Sequence, residues 1–233
     1  MITTHTHETF WEVGSVRYYP LYFNLKGRTC VVVGGGAVAE RKAARLVECG
    51  ANTVVVSEDL TPELASMEHE GKIRRIPDVY RPKYLEDAFI VIGATDRDEV
   101  NERVFADARR LGILVNVVDD PARCDFIVPS VVTRDDLVIA VSTGGKSPLL
   151  ARRIREELEA WYGPEYGTLL SLLGRLRGAI VQGQGDSDDR RKKFESLLDA
   201  GLLEYIRKGD WNKVKELIHA VTGEKVDTRE YEK

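Results

Sequence analysis

The chain is poor in the residues that would tie it to a disulfide scaffold, a metal centre or a membrane. It has 3 cysteines in 233 residues, Cys30, Cys49 and Cys124. The number is odd, and the spacings fit neither a CxxC pair nor a zinc ligand set, which argues against a secreted disulfide framework and for a reducing compartment. There are 4 histidines. His5 and His7 form an HxH near the start, and His69 and His219 stand alone. None has metal-ligand spacing, so no resident metal is expected. No apolar run approaches the ~20 residues a membrane helix needs. The opening MITTHTHETFWEVG lacks both the basic and the apolar region of a secretory signal. Basic charge is not in excess: Lys and Arg total 34 against 38 Asp and Glu, a net charge of -4. Neither nucleic acid nor a membrane is therefore an expected partner, although an acidic total leaves room for a local basic pocket. These absences together describe a cytoplasmic protein.

What remains is ordinary globular material, 43% hydrophobic and 31% charged, enough for one large domain or a nucleotide domain with an appendage. No internal repeat is visible. Short β-branched runs at 29–33, 53–56, 72–76, 89–92 and 114–118 alternate with helical periodicity at 38–49, 61–70 and 98–111. Gly50 lies where a helix C-cap belongs, and Thr61-Pro62 where a helix begins. Continuous apolar strands between helices imply a parallel sheet covered on both faces. From Phe126 the pattern changes. Runs at 126–132 and 137–142, joined by Thr133-Arg134-Asp135-Asp136, read as an antiparallel hairpin. A helix at 148–161 follows and Gly163-Pro164 breaks it. Helices are expected at 165–181, 190–208 and 210–221, with a polar linker at 182–189 and frayed ends at 1–16 and over the last ten residues. The expected domains are 17–125, 126–162 and 163–233.

The sequence Val31-Val32-Val33-Gly34-Gly35-Gly36-Ala37-Val38-Ala39 has GxGxxA spacing between a strand and a helix. Gly34 suits the tight turn, Gly36 lets a pyrophosphate approach the backbone, and Ala39 allows close helix–sheet packing. Ala37 and Val38 open the helix, whose free N–H groups and positive dipole end favour an anion. Strand, loop, helix and second strand in register make this a Rossmann-type dinucleotide fingerprint. An acidic residue after the second strand should bond a ribose hydroxyl. Glu58 and Asp59 stand there, slightly late, and the alternative for them is a solvated turn. With no arginine beside them in sequence, NAD is favoured over NADP. Gly93-Ala94-Thr95-Asp96 follows the fourth strand, so Thr95 and Asp96 line the cofactor cleft, cap the next helix, or do both.

Asn116-Val117-Val118-Asp119-Asp120-Pro121 ends the fifth strand and puts a carboxylate at the edge that carries the glycine loop. Dehydrogenation removes a hydride and a proton, so a base is needed there, and Asp119 is the best-placed one. Asp120, before a proline, reads as a turn residue. Ser142-Thr143-Gly144-Gly145-Lys146-Ser147 nearly completes a P-loop. Ala140 replaces the first glycine, however, and the preceding strand reads as half of a hairpin, whereas a P-loop follows a strand of a parallel sheet. The loop retains the makings of an anion site: backbone N–H groups, Lys146 and a helix N-terminus.

GGGAVAERKA, GATD, NVVDDP, FIVPSVV and STGGKSPLLARRIREELE, in that order over roughly residues 19–162, resemble the dehydrogenase module of the siroheme synthase family. The region after 162 resembles it in layout only. The resemblance implies NAD-dependent oxidation of precorrin-2 to sirohydrochlorin. It implies a homodimer interlocked through the hairpin segment, with Asp119 as the functional carboxylate. It carries cofactor contacts to Ala37, Val38, Glu58 and Asp59. It also implies a polycarboxylate tetrapyrrole substrate, whose acid groups Arg41, Lys42, Lys146, Arg152 and Arg153 are placed to meet, with Ser142 and Thr143 as weaker substrate contacts. Some family members also insert ferrous iron, and the motifs leave open whether this chain does. Two other classes stay open: a non-catalytic NAD or tetrapyrrole sensor of the same fold, and a P-loop phosphotransferase.

Overall fold

The computed structural model describes residues 18–182 and 186–232. The opening stretch expected to be loose and the His5/His7 pair lie outside the described residues. The chain divides into two compact units, one up to Val128 and one from Pro129 onward. No helix among the described residues is long and apolar enough to cross a membrane.

The first unit is built on five parallel strands: β1 (Thr29–Val33), β2 (Asn52–Val56), β3 (Arg74–Ile76), β4 (Ile90–Gly93) and β5 (Leu114–Val117). Their spatial order is β3-β2-β1-β4-β5. Alternate residues of the β-branched runs face opposite ways and bury on both. Cys30, Val32, Val55 and Ile92 belong to one core cluster, and Val31, Val33, Val54, Val56 and Val91 to the other. Fully burying one such side chain is worth about 1.5–3 kcal/mol, so two-sided burial is what holds the sheet.

Three helices cover it: α1 (Ala37–Glu48), α2 (Pro62–His69) and α3 (Asp98–Leu111). α1 buries Ala39, Ala43 and Leu46, one stripe at helical spacing whose small residues let it lie close to the strands. Gly50 follows its end at φ 72°. α2 starts where Thr61 accepts a hydrogen bond from Leu64 N at 3.2 Å, with Pro62 as its first residue. The expected loop at 77–87 contains one 3-10 turn, Pro82–Leu85.

Strand register does the most for function. Val33 pairs with Val56 on one side and Gly93 on the other, and Gly93 pairs with Val117. The last residues of four strands thus form one row, and the loops that follow them open along a single edge.

The second unit begins with the antiparallel pair β6 (Ser130–Arg134) and β7 (Leu137–Val141). The pairing runs further than the sequence suggested. Thr133 and Arg134 pair with Val138 and Leu137, so the turn shrinks to Asp135-Asp136, with Asp135 at φ 50°. An aspartate that accepts the left-handed region permits this two-residue turn. α4 (Pro148–Trp161) follows, then α5 (Glu165–Gln182), α6 (Ser187–Asp199), α7 (Leu202–Arg207) and α8 (Trp211–Thr222). The helix expected at 190–208 is two helices, because Gly201 turns the chain at φ 81°. The expected linker is shorter than 182–189, since Asp186 caps α6 by accepting from Asp188 N and Asp189 N. The described C-terminal residues pack rather than fray: Thr228 is buried, and the hydroxyls of Tyr231 and Ser171 lie 2.6 Å apart. Leu172, Leu197, Leu202, Val214 and Ile218 form the core of this unit.

The three thiols are free and differ sharply in setting. Cys30 is fully buried on β1, and burial, with Cys49 adding to it, pushes its thiol up to about 11. Cys49 is exposed. Titrating the native chain with a chromophoric disulfide at neutral pH should therefore label Cys49 first and Cys30 only after unfolding. Equal labelling of the two by mass spectrometry would contradict the packing of β1.

Candidate functional site

A cleft of about 850 Å3 lies at the carboxyl edge of the parallel sheet, wholly within the first unit. Its walls include Gly34, Gly36, Ala37, Val38, Glu58, Asp59, Thr95, Asp96 and Asp119, so all the residues proposed from sequence for the cofactor and for proton removal share one cavity. Gly35, Ser57, Asp78, Val79, Tyr80, Arg97, Arg103 and Val118 also line it, and sequence reasoning did not single these out. Asp78 to Tyr80 follow β3, so the order of strand ends could have pointed to them. Nothing local marks Arg103, which reaches the cleft from within α3.

The three glycines have different reasons. Gly34 sits at φ 126°, and a Cβ there would fall 2.3 Å from the Ala94 carbonyl oxygen. Gly34 N also donates to Val56 O at 3.0 Å. A Cβ on Gly35 would fall 1.9 Å from Asp59 O and 2.6 Å from Ser57 Oγ, because Gly35 O accepts from Thr61 N at 3.0 Å and clamps the glycine loop to the β2–α2 turn. A Cβ on Gly36 would meet no protein atom within 4 Å. The protein's own packing does not require glycine at 36, and the space a Cβ would fill opens at the start of α1. No side chain caps that helix. Its first N–H groups and its dipole are therefore available to an anion, and the residues present fit a dinucleotide pyrophosphate.

Glu58 and Asp59 are exposed on the β2–α2 turn. An arginine does reach this turn, from β3 rather than from nearby sequence. Arg75 Nε donates to Ser57 O at 3.3 Å and Arg75 Nη2 donates to Glu58 O. Nη1 of Arg75 faces Glu68 at 3.9 Å, so the guanidinium is held at the base of the turn while the Glu58 and Asp59 carboxylates stand at the rim.

Across the cleft, Thr95 is held by Asn101, a buried polar residue of α3. Asn101 Nδ2 donates to Thr95 O at 2.9 Å, and its Oδ1 lies 3.0 Å from the Thr95 hydroxyl. Neither Thr95 nor Asp96 is the helix cap. That position falls to Arg97, whose side chain makes no capping bond, while Thr95 Oγ1 accepts from Arg97 N and closes the preceding turn.

Asp119 is exposed at the end of β5 with φ 62°, a left-handed conformation that costs a non-glycine residue about 1–2 kcal/mol. Asp120 makes the turn, accepting from Ala122 N and Arg123 N, and Arg123 joins it to Asp98. Lys42, half-buried on α1, has its pKa lowered chiefly by burial and by Arg41, while the charges of Asp119 and Cys124 pull it the other way. A positive charge therefore stands within electrostatic reach of Asp119.

Ser142, Thr143 and Lys146 lie in the second unit, on the loop from β7 to α4. Thr143 Oγ1 accepts from Ser147 N at 3.1 Å, Ser142 Oγ accepts from Gly144 N, and Ser147 caps α4. Lys146 is exposed. Among the described residues β7 pairs with β6 alone, and antiparallel, whereas a P-loop follows a strand of a parallel sheet. Among the described residues no three His, Cys, Asp or Glu side chains group to hold a metal ion.

A parallel sheet with a glycine loop at its switch point and an uncapped helix over an open cleft defines a dinucleotide-binding domain, here followed by a separate hairpin-and-helix unit. Three family models match in series: a putative NAD(P)-binding domain at residues 21–130, the central domain of sirohaem biosynthesis proteins at 134–160, and the sirohaem synthase dimerisation region at 165–220, the last two within the second unit. The chain belongs to the siroheme synthase family. It is 38% identical to siroheme synthase 1 of Aeromonas salmonicida over 91% of this chain and 46% of that protein. It is 41% identical to siroheme synthase of Methylobacillus flagellatus over 82% of this chain and 41% of that one. The chain thus spans less than half the length of these relatives. A solved structure of SirC, precorrin-2 dehydrogenase, superposes with a TM-score of 0.72 at 25% identity, covering 89% of this chain and all of that one.

The glycine geometry separates two substitutions. Gly36→Ala should leave the thermal midpoint unchanged and weaken NAD binding by about tenfold or more, about 1.4 kcal/mol. Gly35→Ala should destabilise the fold itself, because its Cβ meets backbone. Calorimetric unfolding with NAD titration checks both. Unaltered NAD affinity in Gly36→Ala would remove the pyrophosphate from this loop.

Proposed function

We propose that the chain oxidises precorrin-2 to sirohydrochlorin with NAD, as a homodimer, in siroheme biosynthesis. The observation that carries this reading is the presence of Asp119 in the cleft that holds the glycine loop. The similarity to SirC, precorrin-2 dehydrogenase, over that protein's whole chain supports the substrate, and the dimerisation-region match supports the homodimer. NAD is favoured over NADP because the Glu58 and Asp59 carboxylates at the ribose end would repel a 2′-phosphate, while Arg75 is engaged with the Ser57 and Glu58 carbonyls and with Glu68.

Bound NAD supplies the acceptor for a hydride. The chain's own residues do the rest. The loop at Gly34–Gly36 and the start of α1 hold the pyrophosphate, and Glu58 or Asp59 bonds the adenosine ribose. The turn that Asn101 fixes through Thr95 forms the facing wall. Asp119 takes the proton that leaves the tetrapyrrole as its carbon gives up the hydride, so that substrate and NAD become sirohydrochlorin, NADH and one proton. Lys42 keeps positive charge near that carboxylate. Lys146, Arg152 and Arg153, with Ser142 and Thr143, are the proposed contacts of the second unit with the substrate's acid groups.

Anaerobic incubation with precorrin-2 and NAD, followed by NADH absorbance and the tetrapyrrole spectrum, tests this. Stoichiometric NADH and sirohydrochlorin are expected. Asp119→Asn should keep NAD affinity and lose about a hundredfold or more of kcat, the span of general base catalysis. NAD binding without NADH formation would leave a sensor in place of an enzyme. Ferrous iron added after the oxidation tests metal insertion with the metal as substrate, read as a rate above the enzyme-free control.

A further inference from the structure

Asp119 keeps a left-handed backbone without being glycine, and the contacts that hold it there converge on one thiol. Cys124 Sγ lies 3.2 Å from Val117 O and 3.1 Å from Asp120 O. These carbonyls flank Asp119 on its two sides. The sulfur also accepts from Asn116 Nδ2 at 3.3 Å, and the same amide group donates to Phe126 O at 2.9 Å. Residues 116 and 124 form an isolated antiparallel bridge, so the segment after Pro121 folds back on β5 and delivers the thiol under the Asp119 turn. Two backbone bonds complete the frame: Val118 N to Gly93 O at 2.9 Å and Asp120 N to Val117 O at 3.2 Å. Arg123 grips the Asp120 side chain, and its N–H donates to Asp120 O at 3.1 Å, so Asp120 O accepts from both Arg123 N and the thiol. The Cys124 side chain bonds the carbonyls on both sides of Asp119 and so reinforces the Asp120 N–Val117 O backbone bond across the turn.

We propose that Cys124, oriented by Asn116, is a positioning residue that fixes the Asp119 carboxylate at the cleft. The thiol shares its hydrogen between the two carbonyls and takes one from Asn116, and without it the turn between Val117 and Asp120 is held by backbone bonds alone and loosens. Burial pushes the Cys124 thiol up, which keeps it a donor at neutral pH. The catalytic consequence rests on the reading of Asp119 as the proton acceptor; the structural brace does not.

The test compares Cys124→Ala, Cys124→Ser and Asp119→Asn with the parent chain. Three things are measured: NAD affinity, kcat and KM for precorrin-2, and amide hydrogen exchange at Val118 and Asp120. Cys124→Ala should keep NAD affinity and KM, lose about tenfold in kcat, and exchange these two amides faster, since a small displacement of a reacting group is costly. Cys124→Ser, which can still donate and accept, should recover most of both. Parental kcat and protection in Cys124→Ala would overturn the proposal, as would a serine variant as impaired as the alanine one. Parental kcat in Asp119→Asn, with faster exchange in Cys124→Ala, would support the brace and overturn the catalytic part.

Discussion

The register of the parallel sheet is the constraint on which the site depends. Val33, Val56, Gly93 and Val117 end in one row, so four loops that are distant in sequence emerge together. A slip of one residue in any of these strands would send each side chain to the opposite core cluster, whose packing is fitted to other residues. Burial on both faces therefore fixes the register, and through it the place of the functional loops. The glycine loop exploits this nearness. Gly34 lies against the β4 loop and Gly35 against the β2 loop, leaving Gly36 as the one position of the three where missing side-chain volume faces open space.

The same edge sorts charge. The uncapped start of α1 is a positive element suited to a pyrophosphate, Arg97 and Arg103 add positive charge on the cleft wall, and Glu58 with Asp59 makes the turn after β2 acidic. Asp119 stands after β5, on the far side of β1 and β4 from that turn in the strand order. A dinucleotide crossing the glycine loop would then have its adenosine ribose towards β2 and its reactive ring towards β5. Under the proposed function, this polarity would put the acidic turn at the cofactor's ribose and Asp119 at the reacting ring. The second unit has its own core and its own polar loop, in which the Ser142, Thr143 and Ser147 hydroxyls bond backbone groups of the loop and of the start of α4.

Much of this was readable in the amino-acid sequence because it is local. α3 and α4 have the bounds that periodicity and capping residues suggest, and the β-branched runs announce buried strands. The features that escaped are non-local or hidden by good propensity. Helical periodicity runs through Gly201, so the break between α6 and α7 shows only in its backbone angle. The need for glycine at 35 comes from the Asp59 carbonyl, which β2 brings in from another part of the chain. Arg75 reaches the acidic turn from β3, across a strand boundary that no spacing rule spans. Cys124 reads in sequence as one thiol of an odd three, and only the fold-back onto β5 gives it partners. Tyr231 sits in a charged tail that reads as frayed until Ser171 and Trp211 are seen to receive it.

A crystal structure of the chain with NAD bound tests the site as a whole. The pyrophosphate is expected against the backbone of Gly36 and the first turn of α1, the adenosine ribose bonded by Glu58 or Asp59, and the nicotinamide ring on the Asp119 side of the cleft. A dinucleotide lying the other way round, with its nicotinamide beside Glu58, or one bound outside this cleft, would contradict this placement.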